Sequence, residues 1–461
     1  MFKFSTLSKS HTLFFLENKT LNFDQFLEDV GNYRRLIQGF HKEKKAQEGL
    51  KSETLKVLLF HPEPYQFCVR LFALSAESAD IYFPSNGQEQ TINAFLSNVD
   101  AFSGQLPFTP TFQDLDTYTV NDTLRDDLDT NKEITWPEKG NLFFSTSGST
   151  GQVKLVHKTW RQINLELIEL QNSFNISAEH KIVSTVSHQH IYGLLFRLLW
   201  PLSVGAIISD TFEYPEHLNE ALANYSKVTL ISSPAFLKRL ANDNVIEEQS
   251  GSLSHVFSSG GMLTDDVSIL LNQQLNIAVT QVYGSTETGG IGYRQVGSLP
   301  ASNWQAFSGV SLRTENESNR LILQSLWIKE DSMLLDDIGE LISSNQFVLK
   351  GRADRTIKLE EKRVNLSAME SFLNEHEWVK ESRILLKQGK RDTLYAVLSL
   401  TELGDSKRST LRNIELSREF RSHLLGKFEL VCLPKKWRFL HELPYNSQGK
   451  LVQGELEKLF E

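Results

Sequence analysis

Apolar residues come along this chain in short blocks: "LKVLLF" (55–60), "KIVSTVS" (181–187), "GAIISD" (205–210) and "KVTLISS" (227–233). Amphipathic stretches separate them. That alternation predicts an α/β protein built largely on parallel sheet, because strands covered by helices on both faces read as continuous apolar runs. In "NLFFSTSGSTGQVKLVHKTW" (141–160) an apolar run enters a knot of glycines and hydroxyls. Beyond it, Ile163, Leu167, Leu170 and Phe174 recur at helical spacing. The knot is therefore expected as a tight loop between a strand and a helix.

Texture changes over 311–350, where "SLRTENESNRLILQSL" and "GELISSNQFVLKG" read as short antiparallel strands joined by polar turns. After Arg352 the chain becomes richer in charge. A helix is expected over "NLSAMESFLNEHEW", with Asn365 as its cap and Met369 and Phe372 on the inner side, then a strand "TLYAVLSL" and a further helix. A boundary at 352–354 divides the chain into domains 1–353 and 354–461. No internal repeat is evident.

Composition narrows the class. At 461 residues, 40% hydrophobic and 23% charged, the chain is globular material for more than one domain. A net charge of −9 speaks against a nucleic-acid partner, which would require a surplus of Lys and Arg on one face. Cys68 and Cys432 are far apart and read as buried thiols, not as a disulfide or a zinc site. No apolar run approaches the ~20 residues of a membrane span, and the first residues lack a signal-peptide core, so a cytoplasmic protein is expected.

The knot joins three features suited to an oligophosphate. Gly148 and Gly151 let backbone N–H groups approach oxygen, Thr146, Ser147, Ser149 and Thr150 offer hydroxyls, and Lys154 adds a point charge. The Walker pattern is absent, because Gln152 and Val153 separate the last glycine from the lysine. The order of residues resembles instead the phosphate loop of the adenylate-forming enzymes, the superfamily of acyl-CoA synthetases, peptide-synthetase adenylation domains and luciferases. Val153 stands where that family usually has proline.

Other segments extend the resemblance over about 141–455. "VYGSTETG" (282–289) is similar to the family's YGxTE element, which implies Tyr283 and Gly284 beside adenine, Thr286 at the α-phosphate and Glu287 as Mg²⁺ ligand; a hard cation takes such an oxygen donor. "SSGGML" (258–263) resembles the glycine turn under the adenine, with Gly260 and Gly261. "LLDDIGELI" resembles the segment whose aspartate holds the ribose, here Asp337, although Asp336 replaces its glycine. "KGRADRTIK" (350–358) implies ribose contact by Arg352, a hinge at Asp354 and a nucleotide contact from Lys358. "LPYNSQGKLVQGEL" matches the family's closing motif, making Lys450 the mobile catalytic lysine. "SHQHIYGLLF" (187–196) places His190 as an aromatic gate and Tyr192 in the acid pocket. His188 and His190 have the i, i+2 spacing of a strand, but no third metal ligand is evident.

The resemblance implies a large N-terminal domain of α/β sheets with a small β-barrel-like part, and a small mobile α+β C-terminal domain. It also implies a ligase that uses ATP and Mg²⁺ to adenylate a carboxylic acid, fatty or aromatic, and to pass it to a pantetheine thiol. CoA and an acyl carrier protein are both open as acceptors. Glu361, beside Glu360, replaces a glycine of the pantetheine tunnel and would repel anionic CoA, which favours the carrier protein. A nucleotide-binding sensor of the same fold, without thioester transfer, is the alternative. A kinase would release ADP rather than AMP.

Overall fold

The computed structural model describes residues 7–461 apart from positions 18, 49–53, 96, 110, 112, 120–132, 148–152, 213, 244–251, 298–302, 317, 360–361, 388–391 and 447–450. Two compact units emerge. The first comprises Met1–Ala301 with Gln305–Val310 and Gln324–Asp331; the second comprises Ser302–Trp304, Ser311–Leu323 and Ser332–Glu461. Asp354 lies inside the second.

Strands of the first unit are β1 (Thr12–Leu16), β2 (Lys19–Asn22), β3 (Lys56–Phe60), β4 (Asp80–Phe83), β5 (Ala101–Gly104), β6 (Asn141–Ser147) and β7 (Val153–Thr159). They continue with β8 (Lys181–Ser184), β9 (Ile207–Thr211), β10 (Val228–Ser232), β11 (Leu253–Ser258), β12 (Val279–Ser285) and β13 (Gly289–Val296). One sheet has the order β5-β3-β4-β6-β7, and in a second sheet, 13-stranded among the described residues, these strands run β13-β12-β11-β10-β8-β9-β1-β2. Every central pairing is parallel; β6/β7, β12/β13 and β1/β2 are antiparallel. Every residue of β8 and β10 is buried, as expected of parallel strands covered on both faces. Cys68 is buried too, and so is Cys432 in the second unit.

The expected strand, loop and helix over 141–174 differs in one respect. A second strand, β7, stands between loop and helix and pairs with β6 in a hairpin. Its sequence alternates, with Val156 and Lys158 buried and His157 between them exposed; Lys154 lies on the face of Val156 and Lys158 but is exposed at the loop end. A lysine at an inward position conceals that period of two. Helix Trp160–Phe174 starts at a capping box: Thr159 Oγ1 accepts from Gln162 N–H, and Gln162 Oε1 accepts from Thr159 N–H at 2.8 Å.

In the second unit, Arg320–Ser325, Met333–Leu341 and Gln346–Arg352 pair antiparallel, as the texture predicts. Helix Leu366–Asn374 is capped by Asn365, whose Oδ1 accepts from Ala368 N–H at 2.8 Å. Met369 lies in the core, with Phe372 packed against it. Val379–Lys387, Thr393–Leu400 and Lys436–Leu440 form a three-stranded sheet. Leu416, Phe420 and Leu424 from helix Asn413–Leu425 close the same core. Among the described residues, no helix is long and apolar enough to cross a membrane.

Candidate active site

Two adjacent pairs mark the loop end of the hairpin: Thr146 with Lys154, and Ser147 with Val153. Thr146 Oγ1 lies 3.4 Å from Lys154 O, its acceptor. Gly148, Ser149, Thr150 and Gly151 lie outside the described residues. Lys154 reaches across to the turn that follows β12, where its Nζ stands 3.6 Å from Glu287 Oε1. The chain thus brings the lysine of the glycine-rich segment to the proposed metal ligand, 133 positions later in sequence.

That turn is constrained from inside. Gly284 passes so close to Gly289 that a Cβ on it would sit 2.3 Å from Gly289 O, and Gly289 has φ +66°. Ser285 and Thr288 close the turn reciprocally: Ser285 N–H donates to Thr288 Oγ1 at 2.9 Å and Thr288 N–H to Ser285 Oγ at 3.2 Å. Thr286 and Glu287, between them, are left half-exposed. Gly260, with φ +86°, and Gly261 are exposed in the loop after β11. Ser259 ties that loop to β12 through Oγ–H to Val282 O at 2.9 Å, alongside Tyr283.

Three residues that sequence reasoning passes over support the turn from below. Lys158 is 2% exposed and donates from Nζ to Glu287 O at 2.8 Å and Trp327 O at 3.0 Å. Glu166, 4% exposed, accepts Gly290 N–H at 2.6 Å. Trp327 Nε1–H donates to Gly290 O at 2.9 Å. Burial lowers the pKa of Lys158 against the opposing fields of Glu166, Glu287 and Glu330, and raises that of Glu166 against Lys158 and the Gly290 N–H. Their only sequence signal is two charges at inward positions of β7 and of the following helix.

His190 is half-buried at the start of a short helix, Ile191–Gly193. Tyr192 is also half-buried, and its hydroxyl donates to Ser232 O at 3.2 Å. His188 is structural. Its Nε2 lies 2.9 Å from His61 O and its Nδ1 3.1 Å from Arg197 Nη1, which suits a neutral ring donating from Nε2. Burial first, and Arg197 second, hold its pKa well below the ordinary imidazole value. With both nitrogens engaged it has none for a metal. Among the described residues, no group of three or more His, Cys, Asp and Glu side chains could hold a metal ion.

In the second unit Asp337 and Arg352 are cross-strand partners, with Arg352 Nη1 3.8 Å from Asp337 Oδ2. Asp336 is an added anion there, 2.8 Å from Arg320 Nη2 and 3.6 Å from Arg352 Nη2. Gly351, at φ +132°, adopts a backbone that favours glycine. Asp354 sits in the single turn Ala353–Arg355, and Lys358 pairs through its backbone with Arg363. Arg355 is bonded to buried Glu370, which also accepts Ile384 N–H at 2.7 Å. Arg355 is thus fastened to the C-terminal sheet and helix. Lys450, Glu360 and Glu361 lie outside the described residues; next to Lys450, Tyr445 and Leu451 form an antiparallel bridge. A cavity of about 390 Å³ elsewhere in this unit, lined by Arg418, Arg421, Lys435 and Trp437 among others, contains none of the predicted site residues.

With this geometry in hand, comparison with known proteins is informative. A model of the AMP-binding enzyme family matches residues 83–317, a little over half of the chain. The D-alanine–D-alanyl carrier protein ligase of Staphylococcus aureus is 24% identical over 484 aligned positions, spanning 95% of this chain and 94% of its own. Among solved structures, ATP-bound MatB from Rhodopseudomonas palustris superposes with a TM-score of 0.78 at 16% identity, covering 99% of this chain and 97% of that one. The o-succinylbenzoate coenzyme A synthetase of Bacillus subtilis, in complex with AMP, gives 0.73 at 14% identity over 98% and 96%. These structures share the fold.

Proposed function

This chain belongs to the AMP-binding enzyme family, and we propose that it activates a small carboxylic acid as its adenylate and transfers the acyl group to the pantetheine thiol of an acyl carrier protein. One observation carries the reading: Lys154 and Glu287, from segments far apart in sequence, meet at 3.6 Å beside Thr286. A lone lysine on a polar loop would be solvated; one aimed at a carboxylate forms a polar site suited to a bridging phosphate.

A carboxylate attacking ATP brings two anions together, so the protein must supply positive charge and fixed geometry. Lys154 and the hydroxyls of 146–150 hold the triphosphate, and Thr286 donates to the α-phosphate. Glu287 fits Mg²⁺, which is commonly held by one or two carboxylates together with substrate phosphates; the ion, when bound, neutralises phosphate charge. The acid's oxygen forms a bond to the α-phosphorus as the bond to pyrophosphate breaks. Lys450 stabilises the charge that develops there. The carrier thiol, losing its proton, then attacks the acyl carbon and AMP departs. Asp337 and Arg352 take the ribose, and Gly260, Gly261, Tyr283 and Gly284 the adenine.

Between the steps the C-terminal part turns about Asp354. The anchoring of Arg355 to Glu370 supports a pivot at or before that residue, beside the glycine conformation of Gly351. The Staphylococcus aureus relative, aligned over nearly the whole chain, favours a carrier protein as acceptor, as do Glu360 and Glu361. ATP–pyrophosphate exchange across D-alanine, aromatic acids and fatty acids tests the reading. Exchange that requires one acid class supports it, and the mass of an added carrier protein then reports the transferred acyl group. No exchange with any acid would leave the nucleotide-binding sensor as the better account.

A further inference from the structure

The contacts beneath the Thr286–Glu287 turn form a closed circuit. Lys158 holds the Glu287 carbonyl, Glu166 holds the Gly290 N–H, Trp327 holds the Gly290 carbonyl, and the carbonyl of Trp327 returns to Lys158. Each end of the turn is thereby tied to a buried side chain of opposite charge. The glycines make this possible: a Cβ on Gly289 would lie 2.7 Å from Glu166 Oε2, and one on Gly290 3.2 Å from Oε1.

Such a pair is an unusual way to hold a turn. Removing an ammonium and a carboxylate from water is costly, and an apolar pair of similar volume is often as stable or more so. The position of Lys158 indicates what its charge does. It lies four residues beyond Lys154 on β7, so both side chains leave the same face of the strand. Lys154 meets the Glu287 carboxylate, and Lys158 meets the same residue's carbonyl. One strand face therefore grips Glu287 at both ends.

We propose that Lys158 and Glu166 are positioning residues for the metal-bearing turn. They set where the Glu287 carboxylate stands, and their loss weakens binding of the magnesium–triphosphate complex specifically. This rests on the reading that Thr286 and Glu287 face ATP. Partners behind a metal ligand typically alter metal affinity 10–100-fold when removed.

Titration calorimetry on the full chain with two probes, MgATP and AMP, tests it. Lys158→Met is expected to weaken MgATP about tenfold and AMP less than about twofold. Glu166→Gln, which keeps an oxygen for the Gly290 N–H, is expected to weaken MgATP about threefold with AMP again spared; it decides the matter if Lys158→Met fails to fold. Folded variants that bind MgATP like the parent overturn the proposal. So does equal loss of MgATP and AMP, the mark of a merely structural role. A parent chain that binds neither nucleotide overturns the functional reading itself and this inference with it.

Discussion

Glu287 is the residue at which the candidate site converges, and its neighbours separate binding from chemistry. Lys154 is exposed and, on the proposed function, contributes charge toward phosphate; replacing it with Met is expected to raise the KM for ATP about tenfold with a smaller change in kcat, read from exchange kinetics at varied ATP. Glu287→Gln keeps the volume but removes the ligand charge, and exchange should fall about 10²-fold with no loss of fold. His61 makes a pH prediction. Its Nδ1 accepts Glu63 N–H at 3.1 Å, which requires the neutral ring, and burial, reinforced by Arg70 and opposed by Glu63 O and Asp116, pushes its pKa down to about 4. Below its ordinary value near 6.5 the unfolded chain takes up the proton first, so stability falls as pH drops from about 6.5 to about 4, by about 1–3 kcal/mol. Melting curves between pH 7 and 4.5 should show a shallower acid limb in His61→Asn, whose amide oxygen can still accept from Glu63 N–H.

At the level of elements, the hairpin and the turn are held by features that can be removed singly. Thr159→Ala deletes half of the capping box at the head of helix Trp160–Phe174 and should cost about 1 kcal/mol in urea unfolding. Gly289→Ala should cost about 2 kcal/mol or more, since φ is +66° and the new Cβ would stand 2.6 Å from Trp327 Cδ1. The helix was legible because Ile163, Leu167, Leu170 and Phe174 keep a helical period. β7 was not, because Lys154 and Lys158 interrupt an apolar alternation that would otherwise read as strand. The same rule that finds cores, charged residues outward, conceals Lys158 and Glu166. Lys154 and Glu287 could each be singled out from local residue types, but their meeting depends on β7 and β12, strands of different sheets in one unit, which no local pattern contains.

Over the whole molecule, alternating strands and helices announced the α/β class, and the antiparallel texture of 311–350 announced the meander, which packs with the C-terminal part into one compact unit. The order of strands was beyond reach, since pairings such as β1 with β9 join segments that share no neighbouring signal. If Lys450 is delivered only for adenylation, Lys450→Ala should abolish acid-dependent exchange by at least about 10²-fold while leaving the melting temperature and AMP affinity unchanged. The β1–β9 pairing has a consequence for biosynthesis. Phe14 lies beside Ile208, Glu17 N–H donates to Asp210 Oδ2 at 2.7 Å, and His11 Nε2 reaches Gly205 O, 194 residues further on. A ribosome adding about 5–20 residues per second needs roughly 10–40 s to make that partner. Throughout that interval the apolar side chains of Leu13, Phe14 and Leu16 have only the β2 hairpin partner beside them, and a chaperone that shields nascent strands would find a client segment there.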